Sequence, residues 1–406
     1  MGERAWPVHS FADAIRPEQT SEDIYGKGYV YSPKLYAHDY EHFGGDLLSL
    51  EALTGRELSI AGEMPVICHE GAVTPGAVRL LEKAGLHLPS VRYTYRNDEE
   101  YVSILKKLSL HGKKVIFQYP HPSEDIPDSL YWVDPSIIAY LSDKRSIPAL
   151  VPAEHVAPRR MVSLDELLED TPPMPFILKT GDGRPTSGGC GVLLIENKEQ
   201  LYHINEDFGD LSTIILEEYI QHDQNFGFHY AADESGNIRY LGKSEQVVND
   251  ENCFRGSWIS TDAAPFERVV EAGLRVMENI AAAGYVGVAG FDVLMRGDSF
   301  YFIDLNVRFN ASSCGLMLYE NIRGLYKKPS IRLSSLEWNG WFADGLAVVE
   351  KYMDKKQFVP LSLLDAAYVD GATGSSKIIG LVMGENDQEV EHILSCMEYD
   401  GLTRRE

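Results

Sequence analysis

The chain has 406 residues, 44% of them hydrophobic and 24% charged, with 61 acidic against 37 basic residues and a formal net charge of −24. That length can bury the cores of two or three domains, and the composition is ordinary for a soluble globular protein. So acidic a surface excludes nucleic acid and anionic membrane as main partners, and it obliges any polyphosphate site to supply its own local cations.

Five cysteines (Cys68, Cys190, Cys253, Cys314, Cys396) are odd in number and include no Cys-x-x-Cys pair. That argues against a disulfide framework or a zinc site and fits a reducing cytosol, so the expected location is cytoplasmic. The first residues lack an apolar signal core, Trp6 stands where a myristoylation signal wants Ser or Thr, and no apolar run reaches the length of a membrane span.

Up to about Ile60 periodicity is slight. Pro65 to Cys68 then reads as a short buried strand, and Ala77, Leu80, Leu81 and Ala84 fall at helical spacing. Asn97 or Asp98 can cap a second helix through about Leu110, ahead of a strand at Val115 to Tyr119. Strand, helix, helix, strand predicts an α/β layer domain over residues 1–134. Its Gly71 to Gly76 loop lacks the spacing of a dinucleotide fingerprint. Asp134-Pro135 predicts a helix start, and Ser163 with Glu166 a capping box. Between Pro175 and Asn306 strand-like runs dominate, interrupted by one helical stripe through Phe266, Val269, Val270, Leu274, Met277 and Ile280. This predicts a second domain over 135–346. Strands near Ala366 to Val369 and Lys377 to Met383, with a last helix at Gln388 to Met397, predict a small C-terminal domain over 347–406.

Four motifs carry chemistry. Leu141-Ser-Asp-Lys-Arg145 ends a helix with cations, which also suit the dipole of that helix. A β run then closes on Lys179 and leads through Gly181 to Gly191, a loop whose glycines let successive N–H groups converge on phosphate oxygens. It is not a P-loop, and a plain hairpin loop would share its composition. Ile214 to Ile220 is an apolar strand running into Glu217-Glu218-Tyr219-Ile220, suited to an adenine edge or to simple burial. Last, Phe291 to Arg296 and Phe300 to Asn306 flank Gly297-Asp298-Ser299 as a hairpin. A turn centred on Asp298 sets Asp292 opposite Asp304, with Asn306 on the same face and Arg308 continuing it. Two facing carboxylates repel unless a cation joins them, and magnesium, with its preference for oxygen, suits the place. A solvated outer face of an edge hairpin would look similar.

In order and spacing these motifs resemble the ATP-grasp superfamily over about Ser142 to Cys314. The resemblance implies an α/β (α+β) ATP-grasp fold with an N-terminal α/β layer domain, ATP and Mg2+ as cofactors, and an ADP-forming carboxylate–amine or carboxylate–thiol ligase. It implies that Lys144 and Lys179 hold the α- and β-phosphates, and that Ser187, Gly188, Gly189 and Gly191 close on the β- and γ-phosphates. Glu217, with the backbone of Glu218 and Ile220, would read adenine, while Asp223 and Gln224 compete for the ribose. Asp292, Asp304 and Asn306 would hold the metal. Asp304 stands where the family has glutamate, one methylene longer, which bears on bidentate bridging of two ions. Arg308 would steady the transferring phosphoryl group, and Lys243, Arg255 and Arg308 are candidates for the substrate carboxylate.

In layout the chain is similar to pheganomycin-type peptide ligases and to the butirosin-type glutamate–acyl-carrier-protein ligases. That likeness implies an amino acid, with glutamate as first choice, passed to an acyl carrier protein thiol or a tethered amine in natural-product biosynthesis. Peptide ligation of free amino acids, and a catalytically silent ATP-binding regulatory module, are the alternatives. Arg159-Arg160 and Arg323 to Lys328 are the basic stretches on which an acidic carrier could dock, and each also reads as solvated surface.

Overall fold

The computed structural model describes residues 14–35, 46–121, 126–181, 191–209, 211, 213–248 and 254–404. In chain order, the first part holds α1 (Ser21–Tyr25), β1 (Tyr29–Ser32), α2 (Leu47–Leu53), β2 (Val66–His69), α3 (Pro75–Lys83), β3 (Arg92–Tyr95), α4 (Asp98–Leu110) and β4 (Lys114–Phe117). The four strands form a parallel sheet in the order β3-β2-β1-β4. Of the two caps the sequence offers for α4, Asn97 takes the place and accepts from Glu100 N–H; Thr74 caps α3 ahead of Pro75. The sheet has two strands that sequence periodicity does not reveal, β1 and β3, each only four residues long. β2 and β4 are equally short but carry apolar runs, which the Tyr-Val-Tyr-Ser of β1 and the Arg-Tyr-Thr-Tyr of β3 lack.

After α5 (Pro135–Ser142) and α6 (Ile147–Leu150) comes a small lobe. It is built from β5 (Arg159–Val162), α7 (Leu164–Glu169), β6 (Phe176–Thr180), β7 (Val192–Ile195), α8 (Lys198–Phe208) and β8 (Ile214–Glu218). Its antiparallel sheet runs β5-β8-β6-β7, and Val162, Leu167, Phe176, Leu178, Ile204 and Ile214 form a core of its own. Asp134 caps α5 ahead of Pro135, and Ser163 and Glu166 make the capping box of α7.

The remaining elements are β9 (Gln224–Ala232), β10 (Ile238–Val248), β11 (Phe254–Ser260), α9 (Glu267–Ala282), β12 (Gly287–Arg296), β13 (Ser299–Asn306), α10 (Ser313–Tyr326) and β14 (Ser330–Trp338). They are followed by α11 (Phe342–Asp354), β15 (Phe358–Leu364), β16 (Ser376–Gly384), α12 (Asp387–Tyr399) and β17 (Leu402–Arg404). Nine strands make one antiparallel sheet, β13-β12-β9-β10-β11-β14-β16-β15, with β17 added on β14. The expected boundary at residue 346 therefore falls inside a continuous sheet, because β16 pairs along all of β14, from Ser330↔Gly384 to Trp338↔Ser376. The strand expected at Ala366 to Val369 is a 3-10 turn, Ala366–Tyr368, which Asp365 caps by accepting from Ala367 N–H. Arg255, a candidate for the substrate carboxylate, lies within β11.

A single apolar core runs from the parallel sheet into the nine-stranded one. Tyr25 packs on Trp132 and Phe309, and Tyr31 on Phe309 with ring centroids 5.4 Å apart. The Trp132 indole donates to the Val286 carbonyl at 2.9 Å. The N-terminal layer is thus fixed against the segment that follows β13, while the small lobe keeps a separate core.

Candidate active site

The β12–β13 hairpin turns through Gly297, whose φ of 55° is open to glycine at little cost. Near the turn the pairing is Arg296↔Ser299 and Met295↔Phe300, and this register by itself would set Asp292 against Ile303. An irregularity between Asp292 and Val293 inserts one residue in β13, so that Asp292 faces Asp304 and Gly290 faces Asn306. The extra residue is Ile303, and its carbonyl accepts from Lys179 Nζ at 2.9 Å. The bulge accordingly does two things: it brings the carboxylates face to face and gives Lys179 an acceptor.

Period-two alternation carries one polar stripe across the sheet from this pair. Asp292 faces Gly227 on β9, and Gly227 faces Ser244 on β10. Gln246, two residues along, donates to Asp292 Oδ1 at 2.9 Å. His229 Nδ1 and Nε2 lie 3.2 and 3.3 Å from Ser313 Oγ and Ser244 Oγ, and Ser257 Oγ lies 2.6 Å from Ser312 Oγ. The opposite face is apolar, with Phe226, Phe228, Tyr230 and Phe291 packed toward α9. Lys243 belongs to that second face: its Nζ donates to the Ala264 carbonyl at 3.1 Å and stands 4.6 Å from the Phe266 ring centroid. Past the irregularity between Tyr240 and Gly242, Lys243 turns toward α9 while Ser244 and Gln246 face the carboxylate side, so Gln246 takes the place expected of Lys243. Polar residues at Ser244 and Gln246, in a strand flanked by buried ones, were the available signal.

Burial, and after it the Asp304 charge, pushes the Asp292 carboxyl well above the usual carboxylate range. Burial acts on Asp304 in the same direction, but Lys144 outweighs it, together with Lys179 and Arg308, and holds Asp304 below that range. Lys144 Nζ is 2.7 Å from Asp304 Oδ2. Asn306 Nδ2 donates to Asp292 Oδ2 at 3.3 Å and its Oδ1 accepts from Arg308 at 2.6 Å. Arg308 is buried, with its guanidinium carbon 4.9 Å from the Tyr119 ring centroid, just beyond β4 of the N-terminal sheet. Among the described residues no three His, Cys, Asp or Glu gather; the hairpin offers two carboxylates and an amide oxygen. A raised Asp292 beside a second carboxylate asks for a cation, and an all-oxygen set fits a hard divalent ion that keeps most of its water.

The small lobe faces this hairpin with two cations, Lys179 and Arg159, and one carboxylate, Glu217. Glu217 Oε1 is 2.7 Å from Lys179 Nζ, and its Oε2 pairs with the Arg159 guanidinium. Burial lowers the Lys179 pKa, partly restored by Glu217. Both Glu217 oxygens are engaged, so the side chain acts here as an anchor for cations. Glu218 is exposed and its N–H donates to the Pro158 carbonyl at 2.9 Å. Ile220 packs with Ala157 and Leu294, and with Tyr301 and Ile303, into a separate apolar patch between lobe and sheet. Of the competing pair, Asp223 caps the hairpin by accepting from Gly297 N–H at 2.9 Å, leaving Gln224 exposed at the start of β9. Ser187, Gly188 and Gly189 lie outside the described residues; Gly191 closes the loop at φ 72°. Arg255 sits at a β11 irregularity, two residues before Ser257.

Of the basic stretches, the Arg159 side chain is turned inward and Lys328 is paired with Glu385 at 2.6 Å and with Glu389 at 3.7 Å, while Arg160, Arg323 and Lys327 are exposed. No helix among the described residues is long and apolar enough to cross a membrane.

Known proteins resemble the chain in sequence and in fold. A sequence profile of the ATP-grasp domain of L-aspartate–L-methionine ligase matches residues 157–306, and one of the L-aspartate–L-methionine ligase N-terminal domain matches residues 20–139. A pyruvate carboxylase component of Methanothermobacter thermautotrophicus is 26% identical over 178 residues, which cover 40% of this chain and 34% of that protein. Pyruvate carboxylase of Staphylococcus aureus is 27% identical over 150 residues, 33% of this chain and 12% of that protein. The chain therefore spans about a third or less of the length of these curated relatives. Among solved structures, N5-carboxyaminoimidazole synthetase of S. aureus with ADP superposes with a TM-score of 0.55 at 13% identity, covering 95% of this chain and 99% of that one. Biotin carboxylase of Campylobacter jejuni with an ATP analogue gives 0.55 at 14% identity, covering 93% and 92%. At such identities the likeness shows the fold alone.

Proposed function

We propose, given that this chain is an ATP-grasp enzyme whose cofactors are ATP and Mg2+, that it is an ADP-forming ligase joining one free amino acid to the amino group of another. The observation that carries the reading is the Asp292–Asp304 pair, set in register beside Asn306 and Arg308 and approached by Lys144 and Lys179. The profile matches of both the N-terminal and the ATP-grasp parts favour two amino acids as substrates over a carrier thiol. Aspartate and methionine are the first pair to test.

In this reading the adenine lies on the apolar patch of Ala157, Ile220 and Leu294, and the phosphates run between Lys144 and Lys179. Asp292, Asp304 and Asn306 would hold the metal, which would draw charge from the phosphates. Lys144, which stands on Asp304 Oδ2, would face a phosphate. A substrate carboxylate oxygen attacks the γ-phosphorus; the new O–P bond forms as the bond to the β-bridging oxygen breaks and ADP leaves. Arg308, oriented by Asn306 and the Tyr119 ring, steadies the charge on the transferring group. The acceptor amine then attacks the acyl carbon, the C–O bond to phosphate breaks, and the nitrogen loses a proton. Arg255 is the candidate partner for a substrate carboxylate; Lys243, on the other face, is not.

The test is an ATP-hydrolysis-coupled screen over pairs of amino acids, with products identified by mass. ADP and phosphate with a dipeptide mass is the expected outcome. AMP and pyrophosphate, or a mass gain on a holo carrier protein without dipeptide, would overturn it.

A further inference from the structure

Arg159 belongs to no motif that the chemistry above uses, yet its side chain is only 8% exposed. Its surroundings are specific. It opens β5, the edge strand of the small lobe, directly across from Glu217 on β8. One end of its guanidinium pairs with Glu217 Oε2, and Nη1 donates to the backbone carbonyl of Lys144 at 3.0 Å. Nε is buried without a hydrogen-bond partner among the described residues. Glu217 in turn holds Lys179 through its other oxygen, and Lys179 reaches the Ile303 carbonyl of the hairpin bulge. Lys144 reaches Asp304. The contacts thus close a ring through the small lobe, the segment after α5 and the metal hairpin, with Arg159 at the point where lobe and segment meet.

Charge decides what this ring can do. A Glu217–Lys179 pair alone would be neutral, and Lys179 would offer little field to an anion. With Arg159 sharing the carboxylate, the buried triad carries a net positive charge, and Lys144 stands next to it. A desolvated excess of positive charge is costly unless an anion arrives, and in a chain of formal charge −24 this is a local exception. The planar fork of arginine also suits two acceptors at once, which lysine in its place could not hold together.

We propose that Arg159 is a positioning residue of the nucleotide site: it fixes Lys144 by its carbonyl and Lys179 through Glu217, and it supplies the charge excess that draws the β-phosphate, which ATP and ADP carry and AMP lacks. The inference rests on the ATP site of the proposed function. It concerns phosphates and not adenine, so its signature is a split between nucleotides.

The experiment measures binding of ATP, ADP and AMP with Mg2+ by calorimetry on the full chain. Arg159→Leu should weaken ATP and ADP at least ten-fold while AMP changes less than three-fold. Arg159→Lys should fall between Leu and the parent for ATP, because it keeps the charge and loses the fork. In a double variant with Glu217→Gln, the effect of Arg159→Leu on ATP should shrink, since the shared carboxylate is gone. Equal losses for all three nucleotides, full parental ATP affinity in Arg159→Leu, or simple additivity with Glu217→Gln would overturn the proposal. Should Arg159→Leu fail to melt cooperatively, Arg159→Lys carries the test, and parental affinity in it would overturn the two-acceptor role. A parent that binds no ATP would instead sink the reading of the site as a nucleotide site.

Discussion

Tyr119 and His229 show how single side chains outside any motif shape the site. The Tyr119 ring carries the guanidinium of Arg308 at 4.9 Å, a cation–π contact of about 1–2 kcal/mol in a desolvated setting. Any planar ring should supply it. Tyr119→Phe should therefore keep turnover near the parent, while Tyr119→Leu should lower kcat about ten-fold and leave the KM for ATP within three-fold, as steady-state kinetics would read. His229 is 1% exposed, and burial pulls its pKa down to about 3. The sign follows from proton counting: between that value and about 6.5 the unfolded chain binds a proton at this residue and the folded one does not. Stability from this group is thus present above pH 6.5 and drains as pH falls, by about 2 kcal/mol at pH 5. Urea unfolding of the parent and of His229→Gln at pH 7 and pH 5 should show a smaller loss in the variant by about that amount; parallel losses would mean that the ring accepts its charge in place.

Among the elements, α9 and the β12–β13 hairpin place the site most directly. Gly273 on α9 lies so close to β9 that a Cβ there would meet Tyr230 Oη at 2.0 Å and Cζ at 2.4 Å. Alanine in a helix interior gains about 1 kcal/mol over glycine by propensity, but forcing a methyl into a filled core costs about 1–3 kcal/mol. Tyr230 is fully buried and stacked on Phe291 at 5.1 Å, so it has nowhere to go. Overpacking should win: Gly273→Ala should lower the urea midpoint, and an unchanged or raised midpoint would show that the ring yields. Because Phe291 neighbours Asp292, a shift there also reaches the carboxylates. The hairpin adds a lesson in register. Counting six residues to either side of Asp298 arrives at the facing carboxylates, yet the turn alone gives a register one residue off, and the Ile303 bulge restores it.

At the scale of the molecule, the described residues gather around two main apolar cores. The parallel sheet, the nine-stranded sheet and the last sixty residues share one core, whereas the small lobe owns its own. A C-terminal unit looked separable because β14, β15 and α10 carry little local signal: β15 includes Pro360, and every residue of β15 and of β16 is buried, which erases alternation. The acidic surplus behaves as its sign requires, with the cations Lys144, Arg159, Lys179 and Arg308 turned inward around Glu217 and the hairpin carboxylates.

Capping residues, helix stripes and the order of the four motifs are local or short-range properties, so the sequence alone determined them: Asn97, Asp134 and Ser163 start their helices, and Lys144, Lys179, Glu217 and the Asp292–Arg308 hairpin stand in one line of inference. Which of these groups meet, and on which face, is set by contacts between segments far apart in the chain. Arg159 reads as surface from its neighbours, and only the pairing of β5 with β8 buries it against Glu217. Lys243 reads as a substrate cation, and only the register of β10 on β9 turns it toward α9 while bringing Gln246 to Asp292. Tyr119 reaches Arg308 because two sheets share a core. Strand pairing and sheet packing join residues far apart in the chain, 46 positions for Gln246 and Asp292 and 58 for Arg159 and Glu217, and a one-residue change of register moves a side chain to the other face. Long-range packing therefore set the second layer of the site, as local chemistry had set the first.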